Sequence, residues 1–188
     1  PKMNRVTSHL PTSLPLHPIG VIRSCFPEKF GIPRQPGLVP EATAVLELHP
    51  EYAQPEAVRG LEGFSHLWIL FWFHAAAGHP WHPTVRPPKL GGNRRVGVFA
   101  SRSPFRPNPI GLSVVRLDRV DLEGGVRLHL SGSDFLDGTP VVDIKPYVAP
   151  ADAIPDAVSG FADAYWGRAG MPVDCTSEAM AALTLHEP

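Results

Sequence analysis

Between Gly63 and Leu117 the chain contains no aspartate or glutamate, although the molecule carries 18 acids against 17 Lys and Arg in 188 residues. Seven of those bases fall inside the acid-free stretch. A solvated face ordinarily mixes both signs, so this window suits an anionic partner, a phosphate or a carboxylate. Cysteine is scarce as well. Cys25 and Cys175 stand far apart with no CxxC between them, which argues against a disulfide framework or a zinc knuckle and for a reducing compartment. The longest apolar run, Leu67 to Phe73, is far too short for a membrane span, and the N-terminus shows no signal-peptide core. The expectation is a soluble, cytoplasmic protein without membrane contact. GxGxxG, P-loop and GxSxG patterns are all missing, so Rossmann, P-loop and serine-hydrolase readings lose support. His79-Pro-Trp-His82 has no carboxylate nearby and reads as a loop, so no metal site is expected.

What is present is proline, 23 residues of it, much of it between short apolar runs. Each proline removes a donor and pushes its predecessor out of the helical region, so long helices are disfavoured. The runs His17–Ser24, Ala42–His49, His66–His74, Arg95–Ala100 and Ile110–Val120 read as strands. Within Ala42–His49 the residues Ala42, Ala44, Leu46 and Leu48 share one face, while His66–His74 is apolar throughout and suits a strand covered on both sides. Val126, Leu128 and Leu130 alternate with Arg127, His129 and Ser131 after Glu123-Gly124-Gly125, which marks a hairpin. Pro140–Val148 is the last strand. About seven strands with little room for crossover helices predict a mainly β fold: a single closed or nearly closed barrel. A short helix near Pro55–Gly60 plugs one end. The expected organisation is an N-terminal extension over 1–16, a barrel over 17–150 and a short, partly helical tail over 151–188, with Trp166 as an anchor and a helix from Ser177 to Leu185 started by Thr176. Charge follows the same division. Residues 63–133 carry nine bases against three acids, and 134–188 two against nine.

Three segments invite chemistry. Ser101–Ile110 sets Arg102, Arg106 and Asn108 among three prolines, and a stiff loop of this kind can hold two guanidinium forks ready for a carboxylate or phosphate. It is equally compatible with a plain structural connection. Gly31–Gly37 fixes Arg34 and Gln35 between prolines, either as a hydrogen-bonding edge for a nucleobase or ribose or as a simple loop. Asp143 and Lys145 lie two apart on one strand face; inside a barrel mouth they would be a proton acceptor and its partner, outside it a surface ion pair, which the residues alone favour.

Taken in order, IGVIRS (Ile19–Ser24), FGIPRQPGL (Phe30–Leu38), VRGLEGFSHLWILFWFH (Val58–His74), RPPKLGGNRRVGVFASRSPFRPNPIGLS (Arg86–Ser113) and DGTPVVDIKPY (Asp137–Tyr147) resemble the TrmO family, also called YaeB or TsaA, over about residues 17–150. The resemblance implies an S-adenosyl-L-methionine-dependent methyltransferase on an unusual β-barrel, acting as a homodimer. The activity it implies is N6-methylation of threonylcarbamoyladenosine at position 37 of tRNA, beside the anticodon. By motif match the cofactor falls to Arg34, Gln35 and Pro36, to His74, to Arg102 and Gly111, and to Leu130, Ser131, Gly132 and Ser133. On this reading Asp137 or Asp143 takes the proton of the conjugated acceptor nitrogen, and Lys145 or Arg106 anchors the anionic modification or phosphate. Arg86, Lys89, Arg94 and Arg95, with Arg106, are the expected contacts to RNA. The acidic tail is unfavourable beside a phosphate backbone, which leaves open a methyltransferase for another small or nucleoside acceptor, or a non-catalytic RNA-binding barrel.

Overall fold

The computed structural model describes residues 13–164 and 174–184. Two compact units divide between Ala153 and Ile154. The first holds six antiparallel strands closed into a barrel: β1 (Gly20–Ser24), β2 (Ala44–Leu48), β3 (His66–Trp72), β6 (Ile110–Asp121), β7 (Arg127–Ser131) and β8 (Pro140–Pro146), in the order β1-β2-β7-β6-β3-β8. Between β3 and β6, the short strands β4 (Thr84–Val85) and β5 (Val96–Gly97) form a separate two-stranded ribbon. A one-turn helix α1 (Ala149–Asp152) follows the barrel. In the second unit, α2 (Ser177–Thr184) begins at Thr176, whose Oγ1 accepts the Ala179 N–H at 3.2 Å. Trp166 and Leu185 lie outside the described residues.

The barrel follows from period-two patterning. Ile22, Leu46, Leu67, Ile69, Val115, Leu128, Leu130 and Val141 alternate inward and are at most 1% exposed, the burial that drives closure. Strand β6 is long enough, at 12 residues, to pair with β3 at one end and β7 at the other. The β6–β7 hairpin turns on Gly124 and Gly125, both at positive φ, with Asp121 Oδ1 accepting the Glu123 N–H at 2.9 Å. The expected helix at Pro55–Gly60 is a 3₁₀ turn over Pro55–Val58, and Val58 joins the core at 3% exposure.

Two sequence expectations change. The run Arg95–Ala100 is not a barrel strand, because pairing stops after Gly97 and the chain enters a 3₁₀ turn at Val98–Ala100. Pro83, Pro87 and Pro88 flank its partner β4 and leave few donors for a longer ladder. Strand β3 is not covered on both sides: Leu67, Ile69 and Phe71 face the core, whereas Trp68, Leu70 and Trp72 are half-buried on the outer face. Ile69→Ala should therefore cost about 2–5 kcal/mol, and Leu70→Ala less than half as much, in urea unfolding of the two variants; equal losses would contradict the one-sided burial of β3.

Candidate active site

The cavity of this barrel is assembled from three stiff segments that the topology brings to one end. The loop after β1 folds back on the end of β7. Gly37 N–H donates to Gly132 O at 2.9 Å, Gly132 N–H to Pro40 O at 3.1 Å, and Ser133 N–H to Ala42 O at 2.9 Å. Gly132 has φ +67, and a Cβ there would lie 3.3 Å from Gly37 Cα, so both the turn and the close approach call for glycine. The docked loop presents Arg34 and Gln35 to the proline-rich segment before β6. Arg102 Nη1 donates to Gln35 Oε1 at 2.6 Å, and Gln35 Nε2 donates to the Arg34 carbonyl at 2.6 Å. Arg106 is held by its own loop, donating to Ser101 O at 3.2 Å and Ser103 O at 3.5 Å, with its guanidinium 6.0 Å from the Phe99 ring centroid.

Beneath these side chains lies an open cavity of about 420 Å³, a size suited to a small organic ligand. Arg34, Gln35, Arg102 and Arg106 form its polar wall, and Phe71, Phe73 and Ile110 its apolar one. Gly111 forms part of the floor because nothing larger fits: a Cβ would stand 2.2 Å from the Phe71 ring. Three guanidiniums and one carboxylate, that of Asp134, belong to the lining. Its Oδ1 is sealed from solvent and meets no donor. Burial pushes this carboxyl up to about 6, against the opposing pull of the Ser113 hydroxyl and the Arg102 charge.

The residues expected from sequence separate into two sets. Arg34, Gln35, Arg102, Gly111 and Arg106 line the cavity. Pro36, His74 and Leu130 to Ser133 do not: Leu130 and Ser133 are buried in or against the barrel core, and the Ser131 hydroxyl donates to Asp118 Oδ1 at 3.0 Å. That last segment instead seats the Arg34–Gln35 loop. Asp137 and Asp143 also lie away from the cavity lining. Asp137 Oδ1 accepts the Ser24 N–H at 2.9 Å, an intramolecular job at the end of β1. A register shift between Leu70 and Phe71 sets Asp143 opposite Leu70 and Lys145 opposite Trp68, on the outer face of the barrel. There Lys145 Nζ and Asp143 Oδ2 pair at 3.0 Å with side chains 65% and 45% exposed, so the outside alternative holds for this pair. Arg86, Arg94 and Arg95 are exposed, Arg95 donating to Thr84 Oγ1 at 3.0 Å. The Lys89 side chain lies outside the described residues. Sequence reasoning missed Asp134, one position beyond the Leu130–Ser133 segment; its one signal is that the alternation of Val126, Leu128 and Leu130, continued by twos, reaches an acid at position 134. Among the described residues no group of His, Cys, Asp or Glu is placed to hold a metal, and no helix is long and apolar enough to cross a membrane.

A closed antiparallel barrel with an arginine-walled cavity has the form of a small-ligand-binding barrel, and its cationic wall suits a ligand with an anionic end. Residues 21–153 match the family described as tRNA-methyltransferase O N-terminal domain, and the chain belongs to that family. It is 55% identical over 168 residues to the tRNA (adenine(37)-N6)-methyltransferase of Escherichia coli (strain K12), covering 89% of this chain and 71% of that protein. A probable S-adenosyl-L-methionine-binding protein of Methanothermobacter thermautotrophicus is 40% identical over 139 residues, covering 74% of this chain and 93% of its own length. The crystal structure of TrmO from Pseudomonas aeruginosa superposes with a TM-score of 0.68 at 52% identity, over 80% of this chain and 63% of that one. The chain thus spans less than two thirds of the length of that solved relative.

The raised Asp134 carboxyl has a consequence for stability. Its proton is held more tightly in the folded chain than in the unfolded one, so stability falls as pH rises from the ordinary carboxylate range through about 6 and is level above it. Asp134→Asn is expected to raise stability by about 1–3 kcal/mol at pH 8 and to leave it unchanged at about pH 3.5, measured by chemical denaturation across pH.

Proposed function

We propose that this protein transfers the methyl group of S-adenosyl-L-methionine to N6 of adenosine 37 in tRNA, in the threonylcarbamoyl form that the motif resemblance implies. The observation that carries the reading is the Arg102–Gln35 bridge across an apolar-floored cavity of ligand size in a member of this family. The cofactor's functional groups suit the residues present. Arg34 and Arg102 offer forked donors for a carboxylate, Gln35 and backbone groups an edge for adenine, and Phe71 and Phe73 an aromatic surface beside which a sulfonium is tolerated. When bound, the cofactor supplies an electrophilic methyl group attached to positively charged sulfur. The protein's task is then to align an acceptor nitrogen at about 3–3.5 Å, to exclude water and to take up one proton.

Arg86, Arg94 and Arg95 are exposed in the stretch of chain that precedes the cavity-lining Ser101–Arg106, and serve the phosphate backbone. Assembly as a homodimer and action in the cytoplasm, where tRNA is, complete the proposal; the apolar outer face, with Leu70 and Trp72 half-buried and Leu112 exposed, supports self-association, and sedimentation tests it. Calorimetric titration should detect adenosylmethionine binding, and mass spectrometry of tRNA nucleosides after incubation with labelled cofactor should find the label on adenosine 37. No cofactor binding would defeat the enzymatic reading, and binding without labelled tRNA would move the acceptor elsewhere. Arg102→Ala should weaken cofactor affinity about tenfold or more while sparing tRNA affinity. Arg94→Ala should do the reverse and lower the salt dependence of tRNA binding by about one phosphate. Equal loss of cofactor affinity in both would abolish this division of labour.

A further inference from the structure

The aspartates of the barrel unit are mostly employed by the backbone. Asp121 accepts the Glu123 N–H, Asp137 that of Ser24, Asp143 that of Ile144 and Asp152 that of Val148, each at 2.8–2.9 Å. Asp134 differs. Its Oδ1 is buried without a hydrogen-bond partner, the carboxyl feels only the pulls of the Ser113 hydroxyl, its own N–H and the Arg102 charge, and the residue belongs to the cavity wall. Nor is it one half of a fixed ion pair. Arg102 Nη1 is bonded to Gln35 and Arg106 Nη1 to two carbonyls, and Arg34 lines the cavity without an ion-pair contact to Asp134. A carboxylate oxygen sealed in this way is costly unless a partner meets it. Its immediate surroundings, Ser113 at 2% exposure and Phe135 at 1%, leave the cavity as the direction from which a partner can come.

Resting on the methyltransferase reading above, we infer that Asp134 is the proton acceptor of the transfer. As the nitrogen's lone pair forms the new N–CH₃ bond, the carbon–sulfur pair leaves with sulfur and the N–H pair returns to nitrogen. The proton passes to the Asp134 carboxylate, which later yields it to water. Charge balances, since a sulfonium and a carboxylate become a thioether and a carboxylic acid. The charged and hydroxyl groups that line the cavity with Asp134 are the guanidiniums of Arg34, Arg102 and Arg106 and the hydroxyls of Ser101 and Ser113, of which Ser113 and Arg102 pull its carboxyl down. With burial setting its proton affinity near 6, Asp134 is ionised at neutral pH yet more basic than an exposed carboxylate.

The test uses the full chain as wild type, Asp134→Asn and Asp134→Glu, with tRNA bearing its native modifications. Adenosylmethionine affinity is read by calorimetry, and methyl transfer by single turnover at saturating cofactor from pH 5 to 8.5. The Asp134 carboxyl is followed by ¹³C NMR in the cofactor-free protein. The expected wild-type rate falls about tenfold per pH unit below 6 and levels off above 7. Asp134→Asn should bind cofactor within about threefold of wild type, lose about 10²–10⁴ in rate and lose the pH dependence, while Asp134→Glu recovers part of the rate. An unchanged rate and profile in Asp134→Asn would overturn the assignment, as would weakened cofactor binding with full rate at saturation. Should Asp134→Asn fail to fold, the NMR titration decides: a carboxyl titrating at its ordinary value overturns the proposal, and one near 6 together with activity in Asp134→Glu supports it. A wild type that binds cofactor but labels no tRNA would remove the tRNA reading and this inference together, whereas labelled tRNA from both wild type and Asp134→Asn would remove the inference alone.

Discussion

The docking of the Gly31–Gly37 loop on the end of β7 is the contact on which the rest of the site depends. The bonds Gly37 N–H to Gly132 O, Gly132 N–H to Pro40 O and Ser133 N–H to Ala42 O continue the β2–β7 ladder beyond the last paired strand residues, Ala44 and Leu130. The cavity wall is therefore an extension of the sheet and not a free lid. Because Arg34 and Gln35 arrive on backbone bonds with proline-limited torsions, little conformational entropy remains to be lost when they meet a ligand. The Arg102–Gln35 bond then locks this loop to the one before β6. Two segments distant in sequence become one edge.

Charge at that edge is arranged to stay available. Arg102 and Arg106 spend hydrogen bonds on an amide oxygen and on carbonyls, all neutral acceptors, so the positive charge of each is oriented without being cancelled. Elsewhere on the barrel arginines are neutralised: Arg23 pairs with Glu47 at 2.9 Å and Arg127 with Asp121 at 2.9 Å. Orientation by dipoles costs an anion-binding site nothing in net charge, whereas a carboxylate partner would have to be displaced. The acid-free window from Gly63 to Leu117 expresses this in sequence. It keeps competing acids off β3, off the segment carrying Arg102 and Arg106, and off most of β6.

The barrel was legible because its inward positions obey a simple alternation, and Val126, Leu128 and Leu130 sit where that alternation puts them. Strand β3 misleads for a physical reason: Trp68, Leu70 and Trp72 make its outer face as apolar as its inner one, so composition overstates its coverage. The cationic half of the cavity was legible only in part: the prolines near Arg34 and Arg102 mark stiff loops, which plain connections share, and the fold brings the two loops to one cavity. Its anionic half was not legible. Asp143 and Lys145 look like an acid and its partner by spacing, but spacing is blind to register, and the irregularity at Leu70/Phe71 decides which way that face of β8 points. Asp134 has no charged neighbour in sequence and no motif-like spacing; burial by Phe135 and Ser113 makes it distinctive, and burial is a property of the closed barrel.

A cavity with three guanidiniums and one carboxylate would ordinarily hold the acid ionised well below neutral pH, because opposite charges favour the charged form. Here desolvation outweighs that attraction and the pulls of the Ser113 hydroxyl and of the Asp134 backbone N–H, and Oδ1 has no hydrogen-bond partner of its own. Two of the guanidiniums are bonded to neutral acceptors, Arg102 to Gln35 and Arg106 to backbone carbonyls, whereas the carboxyl has one oxygen, Oδ1, sealed from solvent. Affinity for an anion and basicity of an acid are thus carried by separate, unpaired groups within one small volume. Moving Asp134 into contact with Arg102 would cancel both at once, which is why the two are more useful close together than paired.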